Sequence, residues 1–77
     1  MTLSQLKVGQ KATIQGMLNT PLATSRLAEL GFIEGETIQI MNKAPFGDPI
    51  EVEIMNYCLC LRKKMADQIE VELNENN

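Results

Sequence analysis

Ile50-Glu51-Val52-Glu53-Ile54-Met55-Asn56-Tyr57-Cys58-Leu59-Cys60-Leu61 is the stretch on which the fold turns. From Ile50 to Ile54 apolar and acidic residues alternate strictly, the period of a strand with one buried and one wet face. Only Met55-Asn56, a tight connection, separates it from the next run. There Tyr57, Leu59 and Leu61 form the inward set, with Cys58 and Cys60 on the opposite face. The same period of two recurs downstream, where Ile69, Val71 and Leu73 alternate with Glu70 and Glu72. Upstream, Ile38 and Ile40 alternate with Thr37, Gln39 and Met41, and Lys11 to Gln15 alternates again before Gly16, which is expected to end that strand.

Between the first two strands the period changes. Thr20 is a good N-cap, because its hydroxyl accepts a free backbone N–H of the first turn. Pro21 then occupies the first helical position, where its missing N–H costs nothing. Ala23, Leu27 and Leu30 make one apolar stripe, and Gly31 follows as a left-handed stop with Phe32 folding back onto Leu27. The expectation is a helix over about Pro21–Leu30. Leu3 to Lys7 reads as a lead-in, Lys63–Asp67 as a one-turn helix, and residues 74–77 as a loose tail. Two prolines and a glycine make Ala44-Pro45-Phe46-Gly47-Asp48-Pro49 a loop, since they break any strand ladder. Five short strands enclose little as a sandwich, whereas a small barrel removes their edges and gives one core. The fold class is therefore mainly β, a five-stranded barrel with an inserted helix, in a single domain over residues 1–77.

A domain of 77 residues has a thin core, and with only Phe32, Phe46 and Tyr57 aromatic that core is aliphatic. The five methionines read as core filler. Such a core leaves no room for a deep enclosed pocket, which lowers the case for an enzyme. Net charge is −3 from seven basic and ten acidic residues, and the longest basic run is Arg62-Lys63-Lys64. That balance disfavours nucleic acid, whose affinity comes mainly from Lys and Arg on phosphates. Neither a secretory signal pattern nor an apolar run of about 18 residues is present, so a cytoplasmic protein is expected.

The residues that carry chemistry are few. The chain contains no His, so Ser4, Ser25 and the cysteines lack the usual base. Cys58 and Cys60, alternate residues of one strand, stand ~6.6 Å apart, too far to pair with each other. As metal ligands they are weak candidates, because two thiols fall short of the four ligands of a closed zinc site. No bound cofactor is expected beyond a transient ferrous or other divalent transition metal. Phe46 at its loop tip has two readings: a plug folded over the barrel mouth, or an apolar anchor for a partner.

Three ordered segments resemble one family. Arg26-Leu27-Ala28-Glu29-Leu30-Gly31-Phe32-Ile33-Glu34-Gly35 is similar to the helix and turn of FeoA proteins, small cytoplasmic accessories of the FeoB ferrous iron permease. Ala44-Pro45-Phe46-Gly47-Asp48-Pro49-Ile50 resembles that family's Ala-Pro-x-Gly-Asp-Pro loop. Leu59-x-Leu61-Arg62, with Ala66, Ile69 and Val71, resembles its last two strands. The likeness spans about Leu6 to Glu72. It implies a Src-homology-3-like barrel and a regulator that binds the permease or its G-protein domain, with a homo-oligomer also allowed. Partner-binding residues on this reading are Leu30, Gly31, Phe32, Pro45, Phe46, Gly47, Asp48 and Arg62. The competing readings are a metal-responsive module related to C-terminal domains of metal-dependent transcriptional repressors, and a transition-metal carrier.

Overall fold

The structure, a computed structural model, describes residues 1–17 and 28–74. Its elements are a 3-10 turn (Leu3–Gln5), strands β1 (Lys11–Met17), β2 (Thr37–Lys43), β3 (Ile50–Ile54) and β4 (Tyr57–Leu61), helix α1 (Lys63–Ala66), and strand β5 (Ile69–Leu73). The expected helix over Pro21–Leu30 lies outside the described residues except at its end, where Ala28 and Glu29 are helical. Residues 75–77 of the expected loose tail also lie outside them.

The five strands form one antiparallel sheet in the order β4-β3-β2-β1-β5. Period-two alternation sends Ile38 and Ile40 of β2, Ile50, Val52 and Ile54 of β3, and Ile69 and Val71 of β5 to the same side. There they meet Ala12, Ile14, Phe32 and Leu61 in one core. Met55 and Asn56 both have positive φ, the conformation that a two-residue hairpin connection needs to match the twist of its strands. The Ile54–Tyr57 pair closes that turn, which fixes the register down to Ile50–Leu61. The chain passes from β4 to β5 through α1, which packs on the 3-10 turn, and Leu3, Leu6 and Ala66 complete the core. The lead-in Leu3–Lys7 thus contributes two fully buried leucines.

Several sequence expectations change. Gly16 does not end β1: the strand continues to Met17, with a bulge between Ile14 and Gly16 that absorbs the irregular residue. A second bulge, between Ile40 and Asn42, leaves Met41 exposed, and Met1 and Met55 are exposed as well, so these methionines are not core filler. Tyr57 does not point fully inward. It is 40% exposed, at the end of an edge strand, and its hydroxyl donates to the Leu30 carbonyl.

The two outer strands end differently. Beside β5, Thr2 bridges Glu70 and the Val71 N–H donates to the Met1 carbonyl at 2.8 Å. The outer edge of β4 has no backbone partner among the described residues.

One contact gives the fold a pH dependence. Ser4 Oγ donates to Asp67 Oδ1, and Lys63 Nζ lies 3.4 Å from Asp67 Oδ2. The Ser4 hydrogen bond above all, helped by the charge and hydrogen bond of Lys63, holds the Asp67 carboxyl below its ordinary value against an opposing desolvation. A carboxylate depressed in the folded state stabilises it above the unfolded pKa, and that contribution disappears as pH falls through the folded pKa. Asp67→Asn should therefore lower the urea midpoint at about pH 7 and converge with the parent curve towards about pH 2. Two curves that stay parallel across that range would remove Asp67 from the acid limb.

Candidate partner-docking site

The loop between β2 and β3 is built to hold its shape. Gly47 adopts φ +81, which a side chain would strain, and its N–H donates to the Ala44 carbonyl at 2.7 Å. The Ala44 N–H closes the loop onto the Pro49 carbonyl at 3.1 Å, and the Asp48–Pro49 peptide is cis. Asp48 ties this loop to the next layer. Its Oδ1 accepts the Lys63 N–H at 2.9 Å, capping a free donor at the start of α1, and its Oδ2 lies 3.4 Å from Arg62 Nη2. The Arg62 side chain is 74% exposed, so the ion pair itself is worth about 0–1 kcal/mol, and the cap matters more to the loop's position.

On this frame Phe46 is 96% exposed, beside an exposed Pro45. The plug reading is excluded: the ring folds over nothing. A whole aromatic side chain in water at the tip of a constrained loop is the feature expected of an interface anchor.

The other expected docking residues lie elsewhere. Leu30 is 42% exposed, next to Gly31, whose φ of +95 makes the expected left-handed stop. A Cβ placed on Gly31 would stand 2.6 Å from Met55 Sδ, and the Tyr57 hydroxyl reaches the Leu30 carbonyl. Leu30, Gly31, Met55 and Tyr57 therefore gather at the hairpin end of β3. Phe46, Pro45, Gly47, Asp48 and Arg62 gather at its other end, about 13 Å away along the strand. Phe32 belongs to neither, being 1% exposed in the core. Its position one residue past the helix stop carries it inward, as a residue at that position usually packs back on its helix. Met55 and Tyr57 were not singled out from the sequence. Strict alternation gave no reason to treat the first residue of β4, beside a tight turn, as exposed.

Cys58 and Cys60 are free and exposed on the outer face, in register with Glu53 and Glu51. Crowding by neighbouring atoms, then the Glu53 and Glu51 carboxylates and the Cys60 thiol, push the Cys58 thiol up. Among the described residues no group of three or more Cys, Asp or Glu is placed to hold a metal ion. No helix among them is long and apolar enough to cross a membrane.

Residues 1–73 match the FeoA domain. The chain is 39% identical over its full length to a fusion of Fe(2+) transport protein A with the Fe(2+) transporter FeoB from Porphyromonas gingivalis, of which it spans only 9%. It superposes with a TM-score of 0.82 on Stenotrophomonas maltophilia FeoA, described as a prokaryotic SH3 domain protein and solved with zinc. That likeness has 32% identity and covers 94% of this chain and 89% of the other. A manganese-dependent transcriptional repressor shares the fold alone, at 19% identity and a TM-score of 0.85 over 96% of this chain and 41% of the repressor. A mainly β, five-stranded SH3-like barrel with a FeoA match over nearly its whole length leaves one assignment: the chain belongs to the FeoA family, the non-catalytic accessory proteins of ferrous iron transport.

Proposed function

We propose that this chain is a cytoplasmic regulator of ferrous iron uptake that docks on a FeoB-type permease, on its G-protein domain, through the end of the barrel bearing Phe46. The observation that carries the reading is the 96% exposure of Phe46 on a loop pinned by the Ala44, Gly47 and Asp48 hydrogen bonds. Ordering a flexible loop at an interface costs affinity, and a loop already held in shape avoids much of that cost. Pro45 extends the apolar contact, Gly47 and Asp48 set its geometry, and Arg62 supplies a rim charge for steering. Leu30, exposed beside the half-buried Gly31, forms a second patch at the opposite end.

The Porphyromonas gingivalis fusion supports this choice of partner, because a related domain there shares one chain with a FeoB transporter. Covalent linkage raises the effective concentration of two modules that act together. Ferrous ion is then the cargo of the permease, and this chain works by contact. Calorimetric titration of the purified chain into the permease, and separately into its soluble G-protein domain, is expected to give saturable one-to-one binding to both. Binding to neither would overturn the proposal.

A further inference from the structure

The outer edge of β4, without a backbone partner among the described residues, carries a further inference. In a two-residue hairpin the residues flanking the turn form a hydrogen-bonded pair, and such pairs then alternate along the ladder. Ile54–Tyr57, Val52–Leu59 and Ile50–Leu61 are consequently the bonded pairs, and the N–H and C=O groups of Cys58 and Cys60 point away from β3. Among the described residues they meet no backbone partner. Both thiols are exposed on the outer face of this same edge.

We infer that this edge joins a second copy of the chain, β4 to antiparallel β4 about a two-fold axis at Leu59, as a thiol-locked dimer. This register overlaps all five strand residues and places Cys58 of each copy opposite Cys60 of the other. Each such pair exchanges two N–H···O bonds at a Cα spacing of about 5.5 Å, inside the range of about 4.4–6.8 Å that a disulfide spans, and its Cβ atoms, about 5.5 Å apart, must approach by about 1 Å to close the bond. Charge does not oppose the second copy. The two acidic β3 strands stay apart by three strand spacings, about 14 Å, beyond the screening length of about 8 Å.

An edge about 17 Å long is far short of the surface that a stable interface buries, so the reduced pair is weak and the covalent bond decides its lifetime. The oxidant is a small-molecule disulfide. The Cys58 thiolate attacks one of its sulfurs and releases a thiolate, leaving a mixed disulfide on Cys58. The Cys60 thiolate of the second copy displaces the second small thiolate. Two protein thiols lose two electrons, and the two released thiolates take up their two protons. In a reducing compartment such a bond is transient, which suits a response to thiol oxidation. The raised Cys58 pKa keeps little thiolate there near neutral pH, so the reaction should quicken as pH rises.

The test incubates the full chain with oxidised glutathione and separates the products on a non-reducing gel. A dimer that dithiothreitol reverses is expected. Cys58→Ser and Cys60→Ser should each form about tenfold less dimer alone, because each loses both cross-pairs. Mixed one to one, they should regain it, since one copy then supplies Cys58 and the other Cys60. Single variants that dimerise as well as the parent, a mixture without rescue, or glutathione-capped monomer alone would each overturn the inference. Far-ultraviolet dichroism of both variants confirms that the comparison is between folded chains.

Discussion

Phe32→Ala should strip the domain of a large share of its stability. Phe32 is the largest of the fully buried side chains, 1% exposed, in the one cluster that unites all five strands. Truncating a buried Phe to Ala costs about 3–5 kcal/mol, the lost transfer energy plus the cavity left behind. A domain of this length has a total stability of about 4–12 kcal/mol, from roughly 0.05–0.15 kcal/mol per residue. The substitution thus removes a large share of it, and at the lower end removes all of it. Urea unfolding followed by dichroism reads this directly as a collapse of the midpoint at unchanged slope. A variant within about 0.5 kcal/mol of the parent, the range of ordinary surface changes, would show that Phe32 is not a core residue. Any loss of partner binding by this variant reports unfolding rather than a lost contact.

Phe32 also shows where the sequence was opaque. Strands were legible because alternation is a local signal: Ile50, Val52 and Ile54 can bury one face in only one register. Gly31 and Gly47 were legible for a related reason, since their positive φ values are a property of the residue itself. Exposure of the three aromatics was not local. Phe32 was expected to fold back onto Leu27 and to join the docking surface, yet the turn lies over the barrel and drops the ring into the core. Tyr57 looked buried by parity, yet β4 is an edge strand and its hydroxyl finds the Leu30 carbonyl instead.

The same limit applies to the docking site. The loop Ala44–Pro49 was legible as a loop, because its two prolines and glycine break any strand ladder. Which patches share an end of the molecule depends on the direction of β3, and no motif spacing reports that. The structure separates Leu30 from Phe46 by the length of this strand, so the eight expected partner-binding residues do not make one surface. The bulges at Gln15 and Met41 were equally hidden, because one extra residue reads as a flaw in the period until its partner strand is known.

Phe46→Ala, by contrast, should leave stability untouched and weaken binding to the permease by roughly 30-fold or more, the effect of about 2 kcal/mol at an interface hot spot. The ring contributes nothing to the core, being 96% exposed, so the urea midpoint should match the parent closely. The loop should also persist, because its shape comes from the backbone bonds of Ala44 and Gly47 and from the Asp48 cap rather than from the ring. Arg62→Ala separates anchor from rim. Loss of an exposed charge should slow association and flatten its salt dependence while changing dissociation little, whereas loss of the ring should act mainly on dissociation. Leu30→Glu, at the far end of β3, supplies the control for position. Full binding by this variant together with the Phe46→Ala loss assigns the interface to the loop end. Unchanged binding by Phe46→Ala would take the anchor role from the loop, whatever the Leu30 variant did.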